Sequence, residues 1–402
     1  MRRFWGVSRA AEWGRKLRSL VRDTPDRYKQ ESQTARVDIV ELLNHTQLPE
    51  RLRQEIANAA RRKAGQIISR VRKTKTPAST RTQEKRLYTV VSAFRTLTQI
   101  KKCPQTVENL REAHIEALVD YWREQKKFTL PTIKVYLSHL KWFLAVHRKD
   151  QILKTELNGY FNTEEIENHS TIAWADKSWT GAGVDTDQVI STIRAEDARV
   201  AAVLLFSWAT GARIAEASAV NVLDAIEQWR RDLQIRLDRC TKNGLARSVT
   251  PDDVRFGVWM HHAIPLINRR TGSVIPDQYT LEGWLKHTYY ILHKHGIKKE
   301  GEGALGVTAH GLRHEFLQKI IEEVTGLPAP VKYWVAGESP VGQYDPELYQ
   351  LARQAIVLAA GHFDARKANA YAGSATAKAA RIKQRLERLE GQLSIGGRQK
   401  YT

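Results

Sequence analysis

The sequence has little cysteine, few acidic side chains and no long apolar run. Its two cysteines, Cys103 and Cys240, are too few for the disulfide framework of a small secreted protein. No stretch of 18 consecutive apolar residues occurs, which argues against a membrane-spanning helix, and the first residues lack the uninterrupted apolar core of a signal peptide. These absences predict a cytoplasmic protein with no membrane partner.

The shortage of acidic residues leaves the chain strongly basic. It has 64 Lys and Arg against 44 Asp and Glu in 402 residues, a formal charge of +20. Residues 1–81 alone contain 20 basic and 8 acidic side chains and so carry +12 of that charge. A surplus of this size favours a polyanionic partner such as a nucleic acid.

Residues 1–81 are predicted to form a basic N-terminal arm or extension. Their densest basic cluster is followed by Thr-Pro-Ala-Ser-Thr at 76–80, a sequence typical of a linker. The cluster is either a solvated face or a tethered element that contacts backbone phosphates. Its candidate DNA-binding residues are Arg61, Arg62, Lys63, Arg70, Arg72 and Lys73.

Residues 82–150 are predicted to form a compact helical module. Leu87, Val90, Phe94 and Leu97 recur at helical spacing, and Pro131 stands where a later helix begins. Tyr136 and Trp142 are interpreted as core residues, although base stacking is the alternative. Further DNA-binding candidates on this module are Lys126, Lys127, Lys134 and Lys141.

The rest of the chain is predicted to be a linker at 151–183 and a larger domain at 184–402. The linker loses helical periodicity and ends in Thr-Gly-Ala-Gly. Within the larger domain, Asn243 and Gly244 separate two short alternating runs, which predicts a β-hairpin. The remainder is mainly helical in pattern.

Four short motifs in the larger domain carry residues suited to phosphate chemistry. Residues 210–216 read Thr-Gly-Ala-Arg-Ile-Ala-Glu, and Lys242 lies at the predicted hairpin tip. Residues 310–314 read His-Gly-Leu-Arg-His. Gly361 and His362 are followed, nine positions after the histidine, by Tyr371. Each motif alone is common, but the four occur together and in order.

In that order the motifs resemble those of the tyrosine recombinases, the lambda-integrase-like site-specific DNA recombinases. The resemblance covers residues 83–402. It implies a mainly α fold with a small antiparallel β-sheet, in which a helical SAM-like core-binding domain and a catalytic domain form a C-shaped clamp on double-stranded DNA. It also implies strand cutting and rejoining through a covalent 3′-phosphotyrosyl intermediate, without metal, ATP or cofactor.

The resemblance implies a role for each motif residue. Tyr371 is the nucleophile, and Arg213 and Arg313 present planar donor groups to the phosphate oxygens. Lys242 is the general acid for the leaving 5′ oxygen, and His310 is the proton acceptor for the phenol.

Three other residues belong to the same motifs. His362 is expected to donate a hydrogen bond to the scissile phosphate, and Glu216 is expected to support Arg213. His314 has either a direct role or a structural one.

The same resemblance implies a role for the C-terminal residues and a set of partners. Residues 375–393 have helical spacing and pack either on their own domain or, as the resemblance favours, on a neighbouring protomer. The expected assembly is a homo-tetramer on synapsed DNA, a monomer or dimer when free, helped by accessory DNA-bending or directionality factors. Integration or excision of a mobile element is the expected role, with chromosome-dimer resolution as the alternative, because the basic extension goes beyond the minimal two-domain plan.

The sequence departs from the family pattern in one place and leaves two other functions open. His310 and His362 are 52 positions apart, a longer separation than is usual in the family. The additional residues, the surplus at about 325–348, are rich in proline and glycine, which predicts an inserted loop or flap.

A type IB topoisomerase uses a related set of side chains to nick and reseal one strand. A catalytically silent DNA-binding relative is the third possibility.

Overall fold

The computed structural model describes residues 39–44, 46–63, 80–162, 165–166, 171–241, 245–362, 364–384 and 387. The chain divides between His169 and Ser170 into two compact units. The helical unit runs from Gln30 to His169, and the site-bearing unit contains Ser170–Thr402. Each unit has its own hydrophobic core.

Five α-helices build the described part of the helical unit. They are α1 (Ile39–Asn44), α2 (Glu50–Lys63), α3 (Thr80–Gln99), α4 (Glu112–Glu124) and α5 (Leu130–Val146), with 3-10 turns at Val107–Asn109, Asp150–Ile152 and Leu157–Tyr160. The predicted apolar face of α3 is buried, and Pro131 lies in the first turn of α5. Leu52 and Ile56 of α2 are buried in the same core, so this part of the predicted extension packs with the helical module.

Ten further helices and one sheet build the described part of the site-bearing unit. The helices are α6 (Thr186–Glu196), α7 (Ala198–Thr210), α8 (Ile214–Ala219), α9 (Val222–Asp232), α10 (Asp253–Ala263), α11 (Leu281–Lys294), α12 (His310–Thr325), α13 (Pro330–Val335), α14 (Pro346–Ala360) and α15 (Asn369–Ala372). The 3-10 turns are Thr180–Ala182, Ile264–Leu266 and Ala365–Ala368. Residues 377–384 are also helical.

Helices α7 and α12 form the centre of the site-bearing unit. Asp197 caps α7 by accepting the backbone N–H groups of Arg199 and Val200, and every residue from Val200 to Thr210 is buried. A helix that is apolar on all sides belongs in a core, and α7 packs against α6, α10 and α12. The motifs at the ends of α7 and α12 are therefore held by the most rigid part of the unit.

The predicted hairpin is present as a two-stranded antiparallel sheet. Strand β1 (Ile235–Leu237) pairs with β2 (Arg247–Val249), with Ile235 opposite Val249. The tip at 242–244, which contains Lys242, lies outside the described residues. The predicted fold class, mainly α with one small antiparallel sheet, is confirmed for the described chain.

The surplus at 325–348, predicted as an inserted loop or flap, combines a short helix with loop and turn residues. It contains α13, and Val331, Trp334 and Tyr344 are buried in the site-bearing unit. Burial of these three large side chains is favourable and fixes the segment to the unit, whereas residues 335–339 and 341–343 are exposed. In the described part of the chain, no helix is long and apolar enough to cross a membrane.

Candidate active site

The first motif forms the turn between α7 and α8. Gly211 ends α7 with φ +63°, and a Cβ atom at this position would lie 2.5 Å from Cδ1 of Phe316. Both the left-handed backbone and this close approach require glycine. Arg213 then stands at the N-cap of α8, with a quarter of its side chain exposed.

Glu216 holds Arg213 from inside the protein. Its carboxylate accepts the backbone N–H of Arg213 at 2.7 Å and the Arg213 Nη1 group at 2.8 Å. Glu216 is fully buried, which by itself would raise the pKa of its carboxyl group. Hydrogen bonds and charge from Arg247 and Arg213 outweigh burial and lower this pKa below its ordinary value.

Arg247 on β2 is the second partner of Glu216, and the sequence interpretation missed it. Its Nη1 and Nη2 atoms lie 2.7 and 2.6 Å from the two carboxylate oxygens, a bidentate ion pair. Its Nε atom donates to the carbonyl oxygen of Ala359 at the end of α14. The available signal was a basic residue at an inward-facing position of a short strand, because such a charge must be paired.

Arg313 is buried at the junction of three motifs. Its side chain donates through Nη1 to the carbonyl oxygen of Gly211 and through Nη2 to that of Ala360, at 2.7 Å for the latter. Its guanidinium carbon lies 5.5 Å from the ring centre of Tyr371. Burial lowers the pKa of Arg313 to about 10, so the group remains charged at neutral pH.

Tyr371 lies on the short helix α15 and is 8% exposed. His362 Nε2 is 3.2 Å from its phenolic oxygen, within hydrogen-bond distance. The carbonyl oxygen of Tyr371 accepts a hydrogen bond from Gln318 Nε2 at 3.3 Å. The phenol is thus in contact with one predicted site residue and next to a second, Arg313.

His310 and His314 lie one helical turn apart at the start of α12. Their ring centres are 6.0 and 5.1 Å from that of Tyr371. Burial lowers the pKa of each imidazole to about 4, and nearby cations add to the shift of His310. His314 is buried, whereas residue 310 as a whole is exposed. Both imidazoles are therefore neutral near pH 7, a form that can accept a proton.

His314 faces the backbone of the tyrosine. Its Nδ1 atom is 3.5 Å from the carbonyl oxygen of Tyr371, and the residue is 6% exposed. The contact to the main chain supports the structural alternative for His314, since the hydroxyl group is reached instead by His362.

The structure describes only some of the other residues that were predicted to act on or bind DNA. Lys242, Arg70, Arg72 and Lys73 lie outside it, and the side chains of Arg62 and Lys63 are not described. The side chains of Arg61, Lys126 and Lys127 are exposed, and those of Lys134 and Lys141 are half-buried. Trp142 is 2% exposed, and Tyr136 packs against Trp122, as core residues do. No group of three His, Cys, Asp or Glu side chains that could hold a metal ion occurs among the residues described here.

No protein-family model and no curated protein matches this sequence. Among solved structures, the chain is similar to the integrase of the Tn1549 transposon in complex with transposon right end DNA, at 14% identity and a TM-score of 0.49, over 84% of this chain and 98% of that one. It is also similar to XerA recombinase (15%, TM-score 0.30, 83% and 98%) and to the XerH site-specific recombinase bound to its difH substrate (16%, TM-score 0.42, 78% and 80%). These recombinases are what the chain resembles; the roles of its residues are argued from its own side chains.

Proposed function

We propose that this protein is a site-specific DNA recombinase of the tyrosine recombinase type. The observation that carries the proposal is that the described motifs, at 210–216, 310–314 and 361–371, meet at one phenol. Tyr371 contacts His362 and lies against Arg313, and Arg313 binds the backbone of Gly211 beside Arg213. A nucleophile, two guanidinium groups and neutral imidazoles are what the cleavage of a phosphodiester requires.

The reaction begins with attack of the Tyr371 oxygen on the phosphorus. A new O–P bond forms, the bond to the deoxyribose 5′ oxygen breaks, and the 3′ phosphate becomes attached to the protein. Arg213 and Arg313 offset the charge that develops on the phosphate oxygens, and the loss of one such donor typically slows a reaction by about 10²–10³-fold. A 5′ hydroxyl of a partner strand then reverses the step without ATP.

Two proton transfers accompany the attack. His362 orients the phenol, and His310 accepts its proton, since the phosphate charge raises the pKa of a neighbouring imidazole toward neutrality when DNA is bound. Lys242 supplies the proton to the leaving 5′ oxygen. The buried pair of Glu216 and Arg247 keeps Arg213 in place during both steps.

Double-stranded DNA is the proposed substrate, and the +20 charge of the chain supports this choice. Exchange of two duplexes calls for four protomers, so a homo-tetramer on synapsed DNA is part of the proposal. The basic residues before position 82 favour integration or excision of a mobile element.

The experiment is the capture of a covalent adduct on a duplex nicked close to the cleavage site. DNA fragments from the ends of the element that encodes the protein are incubated with it, and adducts are resolved on a denaturing gel. The wild-type protein is expected to form an adduct, and Tyr371→Phe is expected to bind the same DNA without forming one. An adduct that persists in Tyr371→Phe would exclude this nucleophile.

Two other functions give different results in the same system. A type IB topoisomerase would relax supercoiled DNA without exchanging ends between two fragments. A catalytically silent relative would bind the duplex and leave it intact.

A further inference from the structure

We propose that the inserted segment around α13 holds the nucleophile, and that Trp334 is a positioning residue for Tyr371. This inference rests on the proposed function. Its physical basis is a set of contacts to residues 373–375, the three residues that follow Ala372 at the end of α15.

The first contact is a close approach of two backbones. Gly373 has φ +78°, and a Cβ atom there would lie 2.7 Å from the backbone nitrogen of Val331 in α13. A side chain would push the two segments apart, because the opposing atoms are backbone and cannot rotate away. The chain after the tyrosine therefore lies directly on the inserted helix.

The second and third contacts are hydrogen bonds on the next two residues. The indole N–H of Trp334 donates to the carbonyl oxygen of Ser374 at 2.9 Å, and Ser374 is 1% exposed. The backbone N–H of Ala375 donates to the Tyr349 hydroxyl group at 3.1 Å. Three successive residues are thus held by α13 and by the first turn of α14.

The inserted segment is itself anchored to the core, so it can act as a rigid support. The Tyr344 ring stacks on that of Tyr349 with centres 4.7 Å apart, and the Tyr344 hydroxyl donates to the carbonyl oxygen of Pro328. Trp174 packs edge-on against Trp334 at 5.7 Å. A segment that is closed on itself and packed on the core through Val331 and Tyr344 restricts the position of the preceding phenol.

A restricted phenol matters because attack on phosphorus depends on alignment. A misplacement of about 1 Å costs on the order of 10²-fold in rate. Removal of one neutral hydrogen bond loosens such a segment without unfolding the domain, since the net contribution of a single bond of this kind is a small fraction of the stability of a domain. Trp334 acts through Tyr371 and does not itself contact the phosphate in this interpretation.

The test compares Trp334→Phe with Trp229→Phe. Both substitutions remove an indole N–H that donates a hydrogen bond and keep an aromatic ring, but Trp229 lies on α9 and donates to Asp253 of α10 at 3.1 Å. With saturating nicked duplex, Trp334→Phe should lower the first-order rate constant of adduct formation about tenfold, with unchanged final yield and DNA affinity. Trp229→Phe should stay within twofold of wild type.

A second pair keeps the test decisive if Trp334→Phe folds poorly. Tyr349→Phe removes the acceptor for Ala375 and should slow the same step, whereas Tyr290→Phe, which changes an exposed side chain on α11, should not. A bridging 5′-phosphorothiolate substrate, whose leaving group needs no acid, should leave the defect of Trp334→Phe in place. Restoration of the rate by this substrate would place the defect at the leaving group and overturn the proposal.

Hydrogen exchange without DNA separates this inference from the proposed function. The amides of residues 372–376 should exchange faster in Trp334→Phe and Tyr349→Phe than in either control. If wild-type protein forms no adduct, the recombinase assignment fails whatever the exchange shows. If wild type forms adduct and Trp334→Phe matches it in rate and in exchange, Trp334 does not position the nucleophile. A loss of yield at an unchanged rate constant would likewise overturn the positioning role, because it would reflect a misfolded fraction.

Discussion

His362 Nε2 lies 3.2 Å from the phenolic oxygen of Tyr371, although His362 follows the end of α14 and Tyr371 lies on α15. Gly361, with φ +66°, ends α14, and the chain returns through the 3-10 turn Ala365–Ala368 to α15. This return brings the side chains at positions 362 and 371 together. His362 is therefore the described histidine that lies within hydrogen-bond distance of the phenolic oxygen, the proposed nucleophile.

Replacement of His362 by alanine should slow adduct formation by about 10²-fold or more, the usual cost of losing a positioned acid–base group. The phenol loses its hydrogen-bond partner, whereas DNA affinity should change little. Single-turnover cleavage and a separate filter-binding measurement check the two quantities. His287→Ala, which changes a half-buried histidine paired with Asp197 on other elements, is the control. Equal losses in both variants would contradict a specific role for His362.

Arg313→Lys should retain binding and lose cleavage. Arg313 makes two hydrogen bonds to backbone carbonyl groups that end α7 and α14, and a lysine ammonium cannot reproduce this planar arrangement. We expect a decrease of about 10²–10³-fold in the cleavage rate constant at saturating DNA. Arg231→Lys, at a side chain 68% exposed, should leave the rate unchanged. Near-normal cleavage by Arg313→Lys would show that a single point charge is sufficient.

Glu216→Gln should destabilise the site-bearing unit. The change leaves the guanidinium of Arg247, 4% exposed, without its carboxylate partner. Breaking a buried pair in this way typically costs about 3–5 kcal/mol of unfolding free energy. Urea unfolding followed by circular dichroism measures the change.

The exposed pair of Glu282 and Lys286 on α11 supplies the control for Glu216→Gln. Their side chains are 74% and 76% exposed, so Glu282→Gln should change stability by less than about 1 kcal/mol. Similar losses in the two variants would mean that the pair of Glu216 and Arg247 contributes no more than a surface ion pair.

Stability should fall as the pH drops from about 6.5 toward 4. Burial lowers the pKa of His314 to about 4, so between these values the unfolded chain binds a proton that the folded chain does not. The stabilisation is fully present above pH 6.5 and is lost progressively on acidification. At low pH, the shifted pKa of His314 corresponds to a loss of roughly 3 kcal/mol in the free energy of unfolding.

Thermal unfolding of wild type and His314→Gln between pH 4 and 7 checks this prediction. The variant removes the titrating group, so its unfolding temperature should depend less steeply on pH in this window. Parallel curves for the two proteins would mean that His314 is not the group responsible.

Local patterns in the sequence predicted the helical module at 82–150 and the hairpin, and the family resemblance supplied the motif residues that meet at Tyr371. Apolar residues at helical spacing predict which face is buried, as along α3, and Asn243-Gly244 between alternating runs predicts the hairpin. These signals are local, because helical and strand periodicity and turn chemistry depend on neighbours within a few residues. The separations between motifs along the chain carry no information about distance in space.

Other features were decided only by tertiary structure. The sequence indicated that Glu216 supports Arg213, but the bidentate bond to Arg247 joins residues 31 positions apart, one on α8 and one on β2. The segment 325–348 contains the proline and glycine residues typical of a loop, and residues 335–339 and 341–343 are exposed, yet the side chains of Val331, Trp334 and Tyr344 are buried in the same unit.

The amino-acid sequence by itself determined the basic charge of this protein, its mainly helical fold class and the identity of the side chains that meet at Tyr371. Tertiary structure decided the partner of each of these side chains. Examples are the contact of His362 with the phenol and the hydrogen bond from the Trp334 indole to the carbonyl oxygen of Ser374. The physical reason is that charge and periodicity are properties of composition and local order. Contacts between distant residues depend instead on how whole helices pack to bury their apolar faces.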